Sequence, residues 1–192
     1  MIRAIIFDYF RVITVNSSLE VLRKFDSERK YAKEMEALLL EHDRGKTLTW
    51  LFNKMADCYG VPVCELEEAY KNKPEHEYNN KLIDFIASEL KNKYKVSLLS
   101  NVGPDQVCDM AHLSIFDDKV LSCEVDLVKP EPEIYILAAK RLGIKPEECI
   151  FVDDNTENVE AAKKVGMNGI IYSDFQNFMV EINELLKQNY AM

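Results

Sequence analysis

Short, nearly continuous apolar runs alternate with helical patterns through the second half of the chain. The runs are "VSLLS" (96–100), "KVLSC" (119–123), "CIFVD" (149–153) and "GIIY" (169–172). Continuity of this kind predicts strands buried on both faces, and their alternation with helices predicts a parallel sheet joined by crossovers. Pro132 suits the first turn of a helix and Gly143 the residue just past its end, which predicts a helix over 132–142. A second helix is expected from Asn155 or Thr156 through "ENVEAAKKVG", stopping at Gly166. The run from Ile2 to Phe7 has the same character as the later strands and belongs with them. Residues 16–75 contain no such run. The segments "SLEVLRKF", "ERKYAKEMEALLLEHD", "TLTWLFNKMADCYG" and "CELEEAYKN" read as helices, followed by another over 79–93. The expected fold is therefore α/β: a Rossmann-like parallel sheet with helices on both faces (residues 1–15 and 76–192) and a small helical insertion (16–75) after the first strand.

Composition narrows the function. With 192 residues, 47% of them hydrophobic, the chain can bury one good core and a modest second module. Its 33 acidic and 24 basic residues give a net charge of -9, which disfavours a broad cationic surface for nucleic acid or anionic lipid. Any bound anion must be held by local groups. Asp8 and Arg11 interrupt the apolar N-terminus, so it reads poorly as a signal peptide, and no run approaches the roughly 18 apolar residues of a membrane span. A cytoplasmic protein is expected. Cys58, Cys64, Cys108, Cys123 and Cys149 are odd in number, dispersed and free of any CxxC, which argues against a disulfide framework or a zinc cluster.

Ligands of a parallel sheet gather at the carboxyl ends of its strands. Asp8 follows one predicted strand, Ser100 and Asn101 another, and Asp153 with Asp154 a third; Lys129 precedes the helix that Pro132 starts. Each residue alone has an ordinary reading, as a turn former, helix cap or solvated lysine. The acidic pair differs, because adjacent like charges at the end of an apolar strand require a cation or hydrogen-bond donors. His42, His76 and His112 lack metal-ligand spacing and read as surface or packing residues, and Trp50, Phe52 and Met55 fit an apolar helix face.

Four segments in this order, "IIFDYFRVI", "LLSN", Lys129 in "VKPEPEIY" and "IFVDDNTEN", resemble the motifs of the haloacid dehalogenase superfamily of aspartyl-nucleophile phosphotransferases. The opening and the stretch "EHDRGKTLTWLFNKMA" are similar to a subgroup with a small helical cap after the first strand, which includes α-D-glucose-1-phosphate phosphatases. The resemblance implies that Asp8 is the nucleophile, forming an aspartyl-phosphate that divides one difficult displacement into two easier ones. It implies Mg²⁺ held by Asp8, the backbone carbonyl of Phe10, Asp153 and Asp154. Ser100, Asn101, Lys129 and Asn158 would bind a small phosphorylated substrate, with Lys129 neutralising charge in transfer.

Phe10 departs from the family pattern. Most phosphatases of the superfamily carry there a second Asp, which protonates the leaving oxygen and then activates water. General acid–base assistance is typically worth roughly 10²- to 10⁴-fold, so its loss should spare substrates with good leaving groups, such as sugar 1-phosphates. A Mg²⁺-dependent phosphatase is the leading expectation. A catalytically weak or inactive relative that binds a ligand is the second, favoured by Phe10 and Arg11. A haloacid dehalogenase is the third; such enzymes often carry an aromatic residue at this position, but they need no metal and usually lack the acidic pair.

Overall fold

The computed structural model describes residues 1–110 and 113–187, so His112 lies outside the described residues. Five strands form one parallel sheet: β1 (Ala4–Phe7), β2 (Lys95–Ser100), β3 (Asp118–Leu121), β4 (Cys149–Asp153) and β5 (Asn168–Ile171), in the order β3-β2-β1-β4-β5. The register aligns Phe7 with Leu98 and with Val152, so β1, β2 and β4 end at the same edge.

The two-residue period of the strands divides the core. Ile5, Phe7, Val96, Leu98, Ile150 and Val152 face one side, under α4 (Asn80–Phe85, continued as a π-helical turn over Ile86–Leu90) and α8 (Phe175–Lys187). Ala4, Ile6, Leu99, Val120, Cys149 and Phe151 face the other, under α6 (Pro132–Arg141) and α7 (Thr156–Lys164). The α/β sheet with helices on both faces is thus the observed architecture.

Between β1 and α4 the chain forms a 3₁₀ turn (Glu20–Asp26), α1 (Ala32–Asp43), α2 (Leu48–Tyr59) and α3 (Val63–Lys71). These helices bury their own cluster, which includes Leu22, Leu51, Phe52, Met55 and Leu66. The strand expected over 119–123 ends earlier, at Leu121. Ser122 and Cys123 open a single helical turn, α5 (Ser122–Val125), because the Ser122 hydroxyl competes with sheet pairing by bonding the backbone of Val102 and Asp43. No helix among the described residues is long and apolar enough to cross a membrane.

Candidate active site

Asp8 stands one residue beyond β1. Its N–H donates to the Val152 carbonyl at 2.8 Å, extending the ladder and setting Asp8 beside the end of β4. The chain then turns sharply: Ile13 and Thr14 both donate N–H to the Tyr9 carbonyl, at 2.9 and 3.0 Å, and Arg11 takes a left-handed φ of 62°. Tyr9 is fully buried, and the half-buried Phe10 meets it edge-on at 5.3 Å.

Lys129 is the electrostatic centre. Its Nζ lies 2.6 Å from Asp8 Oδ1 and 2.7 Å from Asp153 Oδ2, with all three side chains buried. Those carboxylates hold Lys129 above the ordinary lysine value although burial opposes them, so the ammonium stays charged. Asp153 also accepts from Asn158 Nδ2 at 3.1 and 3.2 Å and from the Asn155 N–H at 2.8 Å, which fixes its orientation. Asn158 therefore steadies Asp153, while also lining the cleft.

Asn101 fastens the Lys129 loop. Its Oδ1 accepts from the Lys129 N–H at 2.8 Å and its Nδ2 donates to the Lys129 carbonyl at 2.9 Å. Ser100 is fully buried at the tip of β2, and its hydroxyl has no partner among the described residues. A buried hydroxyl left without a partner typically costs about 1–3 kcal/mol.

One oxygen each of Asp8, Asp153 and Asp154 lie within 4.8 Å of one another, a donor set of hard oxygens that suits a divalent cation such as Mg²⁺. Burial pushes the Asp8 carboxyl up to about 7, against the pull of Lys129, and burial followed by the Asp153 charge also raises Asp154. Concentrated carboxyls of this kind lose that penalty when a cation joins them. Arg11 stands at the edge, 3.7 Å from Asp154 and 3.5 Å from Glu20. The open cleft over the cluster measures about 530 Å³ and is lined by Asp8, Phe10, Arg11, Asn101, Lys129 and Asp154 among others.

Sequence reading set the turn that joins α1 to α2 within the helical insertion and missed its seat on the core. His42 is fully buried, with Nδ1 2.7 Å from the Lys46 carbonyl and Nε2 3.2 Å from Gln106 Oε1. The Asp43 carbonyl accepts from Ser122 Oγ at 2.6 Å. Arg44 donates to the Asp126 carbonyl at 3.0 Å and pairs with Glu131, while Asp105 accepts the Leu48 N–H at 2.7 Å. The polar run His42-Asp43-Arg44 at the end of an otherwise apolar-striped helix is the signal that could have found this contact.

Comparison with known proteins places this geometry. A protein of Porphyromonas gingivalis, described as a predicted HAD-like family hydrolase, superposes with a TM-score of 0.75 over 97% of this chain and 98% of its own, at 27% identity. A HAD family enzyme of Bacteroides thetaiotaomicron, solved with magnesium and inorganic phosphate, shares the fold with a TM-score of 0.69 at 23% identity, over 93% and 99% of the two chains. The glyceraldehyde 3-phosphate phosphatase of Methanopyrus kandleri is 43% identical over 53 residues, 27% of this chain and 23% of that protein, so the match spans under a quarter of the curated relative. The family model for haloacid dehalogenase-like hydrolases matches residues 2–166, and the chain belongs to that family.

Proposed function

We propose that this hydrolase is a Mg²⁺-dependent phosphatase that cleaves a small phosphorylated metabolite through an aspartyl-phosphate on Asp8. The observation that carries the reading is the Lys129 ammonium shared between Asp8 and Asp153 beside Asp154, with the Ser100 hydroxyl unpaired nearby. Asp8, Asp154 and the Phe10 carbonyl would hold the metal, with Asp153 completing the cluster directly or through water. When bound, Mg²⁺ supplies positive charge between a carboxylate nucleophile and a phosphate dianion.

The chain's own residues do the rest. Asp8 Oδ attacks phosphorus from the tip of β1, a rigid strand that keeps its approach in line. Ser100 donates its unpaired hydroxyl to a phosphoryl oxygen, recovering the hydrogen bond it lacks. Lys129, anchored through its backbone to Asn101, offsets the charge that builds on the phosphoryl group. Asp153, fixed by Asn155 and Asn158, keeps that ammonium protonated and aimed. A sugar phosphate is the substrate class favoured by the resemblance of the opening and of "EHDRGKTLTWLFNKMA" to the cap-bearing subgroup.

The test is a Mg²⁺-supplemented screen of phosphorylated metabolites beside an Asp8→Asn control. Turnover that needs Mg²⁺ and vanishes in the control supports the reading; haloacid hydrolysis that persists in excess chelator would replace it. A second reading, a relative that binds phosphate esters with little turnover, is favoured by Phe10 and by the Arg11–Asp154 ion pair.

A further inference from the structure

The proposed chemistry leaves a requirement unmet at Phe10: the oxygen departing from phosphorus needs a proton, and a phenyl ring has none to give. Asp43 closes α1, in the middle of the contacts that hold the α1–α2 turn on the core. The Ser122 hydroxyl that binds its carbonyl also bonds the Val102 backbone, two residues past Ser100, so Asp43 lies at the same strand tips as the phosphate site. Its neighbours in sequence are engaged elsewhere, His42 with Gln106 and Arg44 with Asp126 and Glu131. The Asp43 carboxyl itself has no hydrogen bond or ion pair among the described residues.

We propose that Asp43 is the general acid and base of the reaction, supplied by the helical insertion in place of the missing side chain two positions after the nucleophile. This role rests on the phosphatase reading above. In the first step the Asp8 oxygen bonds to phosphorus, the bond from phosphorus to the leaving oxygen breaks, and that oxygen takes the Asp43 proton to depart as an alcohol. In the second, water attacks the aspartyl-phosphate and gives a proton to Asp43, while the bond from phosphorus to Asp8 breaks. Phosphate leaves, and both carboxyls return to their starting states.

The environment suits a group that must cycle between both forms near neutrality. The charges of Lys129 and Asp8 from the core act on Asp43, and Asp43 in turn acts on Cys123 of α5; Asp105 accepts the Leu48 N–H. Burial pushes the carboxyl up to about 7, Lys129 opposes that rise and Asp8 adds to it.

The test compares wild type, Asp43→Asn and Asp43→Glu on p-nitrophenyl phosphate, whose leaving group needs little protonation, and on glycerol phosphate, whose leaving group needs much. The expected result is a loss of about 10²-fold or more by Asp43→Asn on glycerol phosphate, a much smaller loss on the nitrophenyl ester and partial rescue by Asp43→Glu. The Asn variant should keep its thermal shift with Mg²⁺ and beryllium fluoride, which need the nucleophile but not the acid. In metal-free protein near pH 6, the infrared carbonyl band of a protonated carboxyl should weaken in Asp43→Asn. Equal losses on both esters, or a lost beryllium fluoride shift, would mean that Asp43 only supports the architecture and would overturn the proposal. An Asn variant with undiminished glycerol phosphate turnover overturns this role alone; a wild-type protein that hydrolyses neither ester overturns the phosphatase reading and this role with it.

Discussion

The imidazole of His42 lies against the backbone of Gly103, so closely that a β-carbon built on Gly103 would fall 2.0 Å from His42 Nε2. The ring is fully buried and both its nitrogens face carbonyl oxygens, so it has nowhere to turn. Gly103→Ala is expected to lift the α1–α2 turn from the core, at a cost of about 1–3 kcal/mol, with a lower melting temperature and slower turnover on every substrate. A Gly103→Ala/His42→Ala double variant that is no more stable than the sum of the two single losses would contradict this contact.

Lys129→Met leaves Asp8 and Asp153 facing each other without their shared cation. Breaking a buried ion pair by removing one partner typically costs about 3–5 kcal/mol. The loss should be large at pH 7 without metal and smaller near pH 4, where a protonated Asp8 needs no cation. Mg²⁺ should recover stability but not turnover. Denaturant melts at the two pH values measure it.

Metal-free protein should lose stability as pH rises from about 4 towards 7. Asp8 and Asp43 are both raised from their ordinary 3.8 to about 7, so in that window the folded chain binds more protons than the unfolded chain. Stability is then complete below the unfolded values and declines through the folded ones, by at most about 1.4 kcal/mol per pH unit for each group. If the cluster holds Mg²⁺ as proposed, the ion would bind its ionised form, so the stabilising effect of Mg²⁺ should grow with pH. A metal-free melting temperature that climbs across this range would refute the assignment.

Arg11 pairs with Asp154 across 3.7 Å, its side chain 38% exposed, so it would compete there with the metal ion proposed above. Arg11→Ala should therefore tighten Mg²⁺ binding by up to about fivefold, since such a pair is worth under about 1 kcal/mol. Asp154→Asn should abolish the Mg²⁺-induced rise in melting temperature. Calorimetric titration of both variants separates competition from ligation.

Phe10→Asp should restore alkyl phosphate turnover in an Asp43→Asn background and add little to wild type, because one acid suffices. The ring is half-buried against Tyr9 and His76, so the packing loss should be below the 3–5 kcal/mol typical of a fully buried phenylalanine. A folded double variant with no recovery would show that a carboxyl at position 10 cannot reach the leaving oxygen here.

The sheet was legible because its strands are apolar on both faces and end abruptly in polar residues. Asp8, Ser100 and the Asp153-Asp154 pair break those runs at the very positions where the register brings the strand ends together. Finer roles were not legible. Nothing in the local sequence tells whether the Asn101 amide points to a ligand or to the Lys129 backbone; the helical spacing lets Asn158 steady Lys129 or the acidic pair, but which of them it holds, Asp153, depends on how loops meet after the sheet forms. Ser122 read as strand because its hydroxyl partners, Val102 and Asp43, are distant in sequence. Asp43 escaped notice for the same reason, since only the docking of α1 on the core gives its carboxyl a neighbourhood.

The central position of β1 bears on how the protein is assembled. Ala4 pairs with Lys95 on one side and Cys149 on the other, so the strand that leads to Asp8 waits for partners far along the chain. Closing such long loops is slow, whereas the cluster from Leu22 to Ala69 is built from contacts close in sequence and can gather first. Asp8 and Asp153 become neighbours only when β1 and β4 join. Retention of a phosphate mimic during refolding would therefore mark the last stage of sheet assembly, after the helical insertion has already acquired its shape.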